Sequence, residues 1–408
     1  MPQLEEIDPK TLGQRLAEAR KARGVTQEDV AEFLGYSRPT YIAMEKGERL
    51  AKADEIMRLA TYFGRTVHEM VRPGEPVVAL QPHLRAAAEQ MKAGDDKQLL
   101  EAIDELQRFA EDYRQLEELM NVPLRTSFPP ELNLDTPIDV TELAEGVAVQ
   151  ERRRLGLGDQ PVVHLRSILE WDVGLRIFYG EKLPSTIAGM YAWTADLGCC
   201  ILINRNHPPQ RRRVSMVHEY GHLIVDRYKP RIDYVSMTGR KPANERFAET
   251  FGLSFLMPAS SVRAKFHEVV TSTGDFKVAD LCRLSHFYFV SVEAMTLRLE
   301  KLGLIPKGSS ENLKDSKFSP LKAGQILELL PHAETSQPYP QRYRFLSVHA
   351  YEQGKITQVQ LARFLRCDVV TARQIVTECL TSTDVAADGR LEMLHLEEFQ
   401  KSLLSNAS

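Results

Sequence analysis

The chain has 408 residues, 43% of them hydrophobic, which is enough to bury two or three cores of ordinary size. Its net charge of −4 excludes a global basic field able to gather nucleic acid unaided, so any DNA binding has to come from a local surface. Five cysteines (Cys199, Cys200, Cys282, Cys367, Cys379), odd in number and without CxxC spacing, point to a reduced cytoplasmic protein with buried thiols, and no apolar run nears the ~18 residues that span a bilayer.

Residues 11–72 read as short amphipathic helices separated by tight turns. Leu12, Leu16 and Ala19 share one helical face, and Gly24 ends that helix because it tolerates positive φ. Thr26 is the expected N-cap of "QEDVAEFLG", with Glu28 and Asp29 in the first turn where the helix dipole favours them. Gly35 closes it. Ser37 is expected to cap "RPTYIAMEKG", with Ile42 on its inner face. Two short helices joined by a Gly-containing turn make a helix-turn-helix, whose second helix can enter a major groove.

The stretch "TQEDVAEFLGYSRPTYIAMEKGER" resembles the Cro/lambda-repressor-type (XRE-family) helix-turn-helix. The resemblance implies a five-helix domain that binds double-stranded DNA. Gln27 would lie near the DNA backbone, and Ser37, Arg38, Thr40 and Tyr41 would form the DNA-facing set. It also places Arg20 and Glu45 at positions that often carry a structural ion pair. Residues 10–72 hold 12 Lys/Arg against 9 Asp/Glu, so phosphate attraction is modest unless a dimer doubles it. A protein-binding module on the same scaffold is the alternative.

"GEPVVALQPH" (74–83) reads as a linker. After it, "DKQLLEAIDELQRFAEDYRQLEELMNVP" sets Leu99, Ile103, Leu106, Ala110 and Tyr113 at spacings of four and three, an amphipathic helix. That face is expected either to pack on the chain's own domains or to form a homodimer seam. The Pro-rich "NVPLRTSFPPELNLDTP" marks the next boundary.

From residue 138 the pattern turns to mixed α and β. "VTELAEGVAVQERRRLG" and "VVHLRSILEWDVG" read as helices, and "LRIFYG", "IAGMYAW" and "CCILIN" as short strands. In "RRRVSMVHEYGHLIVDRY", His218 and His222 stand four apart on one helical face, so both imidazoles can reach a single ion. Glu219 is rotated off that pair, as a residue that handles water without ligating should be. HExxH arises by chance often enough to need a third ligand. "NERFAETFGLSFLMP" offers Glu245 and Glu249, one turn apart beside the small Ala248, although both could instead solvate a helix face or pair with Arg211, Arg212 or Arg213. Tyr191, His207 and the arginine run are candidates for polarising a substrate carbonyl.

Residues 138–305 resemble the ImmA/IrrE family of zinc metallopeptidases, through "VVHLRSILEWDVGLRIF", "IAGMYAW", "ILINRNHPPQRRRVSMVHEYGHLIVD", "ERFAETFGLSFLMP" and "FVSVEAMTLRLEKLGLI". The resemblance implies Zn²⁺ held by His218, His222 and Glu245, with Glu219 as the general base. Glu249 stands where Asn or Asp is usual and would orient a ligand histidine from behind. Gly252 stands where Ala is usual. Asp226 replaces a frequent His and, one turn beyond His222, is expected to lie too far along the axis to share the ion.

"PKGSSENLKDSKFSP" reads as a polar linker. Three helices follow, with Gly354 ending the first, Thr357 capping the second and Asp368 the third, an outline similar to the winged-helix-like tail of some larger family members. The expected fold is multidomain and mainly α, with an α+β zincin-like peptidase domain behind a five-helix lambda-repressor-like domain. The expected boundaries are 10–75 (helix-turn-helix), 76–135 (linker and amphipathic helix), 136–305 (peptidase), 306–320 (linker) and 321–408 (C-terminal helical domain). Two functions fit. One is a DNA-binding zinc endopeptidase that cleaves a transcriptional repressor or antitoxin in a stress or mobile-element response. The other is a transcriptional regulator whose peptidase domain senses a signal or acts only on itself.

Overall fold

Capping residues set the first helices. In α1 (Pro9–Arg23) the Asp8 carboxylate accepts from the Thr11 amide, and Gly24 closes the helix at φ 72°. Thr26 and Asp29 form a reciprocal capping box on α2 (Gln27–Leu34), which Gly35 ends at φ 77°. The third helix, α3 (Arg38–Glu45), is followed by α4 (Ala53–Phe63) and α5 (Val67–Val71). This computed structural model describes residues 8–63, 67–71, 80–90, 96–134, 139–234, 241–316, 318–332, 337–385 and 391–395. Most of the linker expected at 74–83 lies outside them.

The chain forms two units, Met1–His83 and Leu84–Ser408. In the first, Leu12, Leu16 and Ala19 meet Val30, Leu34, Tyr41, Met44 and Leu59 in one apolar core. Tyr41 and Met44, three apart, are the inward residues of α3. Ile42, expected on the inner face, is only half-buried, so the helix is turned by about one residue (~100°) from the sequence reading.

After α6 (Gln81–Gln90), the long helix α7 (Lys97–Met120) begins at the Asp96 cap. Next come α8 (Val140–Arg154) and α9 (Leu165–Ile168), which runs into a π-helical turn over Leu169–Val173. A four-stranded sheet follows, built from β1 (Arg176–Gly180), β2 (Ile187–Thr194), β3 (Gly198–Asn204) and β4 (Arg231–Tyr234) in the order β1-β3-β2-β4. β1 runs parallel to β3, with Ile177 beside Ile201, and β2 runs antiparallel to both β3 and β4. Between β3 and β4 lies α10 (Pro209–Val225), and α11 (Ala243–Leu256) follows β4.

β1, β2 and β3 are buried on both faces, which explains why they read as unbroken apolar runs. Ile177, Tyr179, Ile201 and Ile203 join the core that α8, α10 and α11 build. Phe178, one residue out of phase, stacks at 4.7 Å on Phe109 of α7. Leu99, Ile103, Leu106, Ala110 and Tyr113 are therefore buried within the chain. The face that could have been a homodimer seam is covered by β1, β3 and α17 (Gln341–Glu352). At its centre the buried Glu117 takes Arg176 at 2.8 Å and also Arg342 of α17.

Helices α12 (Ala259–Thr273), α13 (Val278–Phe287) and α14 (Val292–Lys301) complete the peptidase region. The segment expected as a polar linker contains α15 (Ser309–Asp315), because the Glu300 carboxylate accepts from the Ser310 amide at 2.7 Å and Lys314 pairs with Glu293. A short α16 (Pro320–Ile326) precedes α17. Then α18 (Gln358–Leu365), capped by Thr357, and α19 (Val369–Leu380) lead to the antiparallel pair β5 (Thr381–Val385) and β6 (Leu391–His395). Three helices and a two-stranded antiparallel pair thus make up the described C-terminal residues. No helix among the described residues is long and apolar enough to cross a membrane.

Candidate metal centre and DNA-reading helices

One helical turn separates His218 from His222 on α10, and their Nε2 atoms approach to 3.1 Å with the rings at 81°. Glu245, in the first turn of α11, brings Oε2 to 3.4 Å from His218 Nε2 and Oε1 to 3.6 Å from His222 Nε2. A tetrahedral ion with bonds of about 2.0–2.1 Å needs its ligand atoms about 3.3 Å apart. Taking the nearer Glu245 oxygen for each imidazole, all three separations lie close to that value. Among the described residues this is the cluster of His, Cys, Asp and Glu able to hold a metal ion.

The close approach of the two helices has a local cause. Gly221 lies against Ala248, and a Cβ there would stand 2.8 Å from the Ala248 Cα. Burial then sets the electrostatics. His222, 1% exposed, is held well below the usual imidazole range by burial first, then by His218 and Arg231, so it is the neutral form that ligates metals.

Glu219 is fully buried, and neither of its carboxylate oxygens has a hydrogen-bond partner. Burial, followed by the charge of Asp233, pushes its carboxyl up to about 8. An unpartnered buried carboxylate is costly, and it belongs where a reaction will use it. His218 keeps 14% exposure and opens onto a cavity of about 560 Å³ between α10, α11 and α14. Val214, Leu253 and Leu297 supply apolar wall, while Arg211, Asp233 and Lys241 supply charge.

In the first unit, Arg20 Nε donates to Glu45 at 2.6 Å, the ion pair expected there. Gln27 Nε2 donates to the other oxygen of Glu45 at 2.8 Å, which ties the start of α2 to the end of α3. Ser37 makes no cap bond to the helix backbone, and its hydroxyl meets that of Thr40 at 2.9 Å. Arg38 is exposed and only loosely paired, 3.9 Å from Glu28.

Residues 172–300 match the model of the IrrE N-terminal-like domain, a peptidase family, and residues 11–72 match a helix-turn-helix domain. The chain carries an IrrE N-terminal-like peptidase domain behind a helix-turn-helix domain. The first of these implies a metallopeptidase, and the His218, His222 and Glu245 cluster inside it is consistent with a zinc site. A curated relative, the cryptic phage CTXphi transcriptional repressor RstR of Vibrio cholerae, is 33% identical over 61 residues, covering 15% of this chain and 55% of the repressor. The chain thus spans about half the length of that relative. The crystal structure of ComR from Streptococcus suis aligns over 91% of this chain and 93% of that one at 12% identity, with a TM-score of 0.15, too low to carry an argument.

Several residues within the IrrE-like domain stand elsewhere than the sequence suggests. Glu249, expected behind a ligand histidine, pairs with Lys241 at 2.9 Å on the cavity rim and is 47% exposed. The carboxylate behind His222 is Asp226, whose Oδ2 lies 3.9 Å from His222 Nδ1, the nitrogen turned away from the cluster. Tyr191 is a core residue whose hydroxyl donates to the Arg227 carbonyl at 2.6 Å. His207 bonds the Ser185 carbonyl in an exposed loop. The arginine run divides: Arg211 lines the cavity, Arg212 lies over the Tyr179 ring, and Arg213 holds the carbonyls of Val162 and Val163.

In the helix-turn-helix domain, Tyr41 belongs to the core and cannot face DNA, because the turn of α3 points it inward beside Met44. Arg231 and Asp233 escaped the sequence reading altogether. Both lie on β4 beside the cluster, Arg231 bonding Glu245 and Asp233 standing 3.9 Å from His218. A four-residue strand with two charges gives no apolar alternation to detect. The alternating charges of "RID" were the available signal.

Proposed function

We propose that this chain is a DNA-binding zinc metalloendopeptidase that cleaves one specific protein, a transcriptional repressor or antitoxin, in a stress or mobile-element response. The observation that carries the reading is the meeting of two imidazoles and a carboxylate at close to tetrahedral spacing, beside an unpartnered buried Glu219 and an open cavity. A site of two nitrogens and one oxygen suits zinc and leaves one position open.

His218, His222 and Glu245 would hold the ion, which when bound makes water nucleophilic at neutral pH and polarises a carbonyl. Glu219 takes the proton from the attacking water and returns it to the leaving amine, so that water adds across the peptide C–N bond. The cavity beside His218 receives the substrate chain. Residues 10–75 form the DNA-binding part, where Ser37, Arg38 and Thr40 present α3 to a groove and Gln27, held by Glu45, faces the backbone. Residues 136–305 form the peptidase, followed by 306–320 and the C-terminal helices of 321–408. A repressor or antitoxin as substrate rests on the resemblance to the ImmA/IrrE family.

A second reading, a transcriptional regulator whose peptidase domain senses a signal or acts on itself, is favoured by the likeness of the first residues to a phage repressor. Comparing wild type with Glu219→Gln in cells, by profiling new protein N-termini, separates the two. Termini on another protein that depend on Glu219 support the endopeptidase. Loss of no termini, or of termini on this chain alone, supports the regulator.

A further inference from the structure

The ligand cluster is braced from behind by a second set of charges. Arg231 is 18% exposed and reaches across two elements. Its Nη2 donates to Glu245 Oε1, and its Nη1 donates to Asp226 Oδ2 at 3.2 Å. Asp226, 3% exposed, also accepts from Asn244 Nδ2 at 2.5 Å and from Lys229 Nζ at 2.7 Å. Asn244 in turn accepts the Glu245 amide at 3.0 Å through its side-chain oxygen. His222 Nδ1 is buried and has no hydrogen-bond partner, and Asp226 Oδ2 lies 3.9 Å away, about 1 Å beyond a good bond.

These contacts close a ring that runs His222, Asp226, Arg231, Glu245. We propose that Arg231 and Asp226 form a clamp on the metal site, in which one guanidinium positions the carboxylate ligand Glu245 and, through Asp226, the imidazole ligand His222. The inference rests on the metallopeptidase reading and goes beyond it in naming what sets the donors. Glu245 has two oxygens. With Arg231 satisfying Oε1, Oε2, the one nearer His218, is left free to ligate. Asp226 Oδ2 is the carboxylate oxygen facing Nδ1 of His222, and closing the 3.9 Å gap by about 1 Å would let it accept from Nδ1 and fix the tautomer that leaves Nε2 free for the ion. A guanidinium suits this place because its fork reaches two carboxylates at once, which an ammonium cannot do with the same geometry. Placing a positive group beside a cation site is tolerable because Arg231 is paired with both Asp226 and Glu245, and Asp233 stands 3.9 Å from His218.

The test uses the full chain with zinc alone, so that the readout is metal affinity and does not depend on a substrate. Zinc competition against a chelator would be measured for wild type, Arg231→Met, Arg231→Lys, Asp226→Asn and the Arg231→Met/Asp226→Asn double variant, with melting of each chain to verify folding. The clamp predicts a loss of roughly 10–100-fold in each of Arg231→Met and Asp226→Asn, as is usual for partners behind a ligand. Arg231→Lys should fall between Arg231→Met and wild type, and the double variant should be little worse than the weaker-binding single one. In the cobalt-loaded chains, the visible absorption of Arg231→Met should differ from wild type, because Glu245 is freed to turn both oxygens to the metal. Wild-type affinity and an unchanged cobalt spectrum in a folded Arg231→Met chain overturn the clamp, as do losses that multiply independently. Failure of the wild-type chain itself to bind zinc overturns the metal-site reading and the clamp with it.

Discussion

Gly221→Ala puts one methyl group where α10 meets α11. The new Cβ would stand 2.8 Å from the Ala248 Cα, 3.1 Å from its Cβ and 3.3 Å from Phe251 Cδ1. Carbon atoms rest at about 3.5–4.0 Å, so α11 has to retreat by about 0.7 Å or more. Both obstructing Ala248 atoms sit rigidly on the α11 backbone, and no side-chain rotation relieves them. Overpacking of this kind costs about 1–3 kcal/mol, while replacing a mid-helix glycine returns about 1 kcal/mol, so the net loss of stability is about 0–2 kcal/mol. Metal binding is far less tolerant. Glu245 lies one turn from Ala248 on the same helix, and ligand distances are acceptable only within about 0.2 Å. We expect zinc affinity to fall at least ~10-fold while the chain still melts cooperatively, as read by chelator competition and calorimetry on one preparation. Gly252→Ala is the contrast: its Cβ would meet nothing nearer than the His218 amide nitrogen at 3.6 Å, so zinc affinity should stay at the wild-type value. A folded Gly221→Ala chain that binds zinc as wild type does refutes the idea that the helix contact sets the third ligand.

In the first unit, burial alone would raise the Glu55 carboxyl, but bonds from Arg49, Tyr36 and the Lys52 amide outweigh it and hold it at about 2. A carboxyl lowered from 4.5 to about 2 contributes about 3 kcal/mol above pH ~5, and that contribution disappears as pH falls through ~4.5 to ~2. Hydrogen exchange of α4 amides should follow that window in wild type and show a weaker pH dependence in Glu55→Gln. Glu117→Ala leaves Arg176 and Arg342 buried without their shared carboxylate, so the Leu84–Ser408 unit should lose about 3–5 kcal/mol in denaturant unfolding; a loss below ~1 kcal/mol would make the cluster incidental. Arg38→Ala should weaken binding of operator DNA and lower the slope of log affinity against log salt by about 1, whereas an unchanged slope removes Arg38 from the phosphate contacts.

What was readable in the sequence was what repeats along a single element. The caps at Thr26 and Thr357 and the i, i+4 histidines depend on neighbours within four residues, and the structure keeps all of them. The face of α7 was equally clear, but periodicity cannot say whether its partner is a second copy or the chain's own sheet; Phe178 and Tyr343 answer that by packing on Phe109 and Tyr113. Helix rotation was invisible at α3, where an aromatic at position 41 reads as well outside as inside and the core takes it. The family resemblance implies Glu249 as the carboxylate behind a ligand histidine. The geometry puts Asp226 there instead, since the α10 axis carries it past His222 on the side of Nδ1, while Glu249 pairs with Lys241. Arg212 and Arg213 read as candidates for polarising a substrate carbonyl, yet each lies over an aromatic ring and is buried.

The central claim is that His218, His222 and Glu245 hold one zinc ion. X-ray absorption at the zinc edge, on the chain purified with its native metal, tests it most directly. One zinc per chain is expected, with two imidazole nitrogens at about 2.0–2.1 Å and oxygen at about 2.0–2.2 Å. A sulfur shell at about 2.3 Å, a shell of oxygens without imidazole, or a chain that takes up no zinc would contradict it.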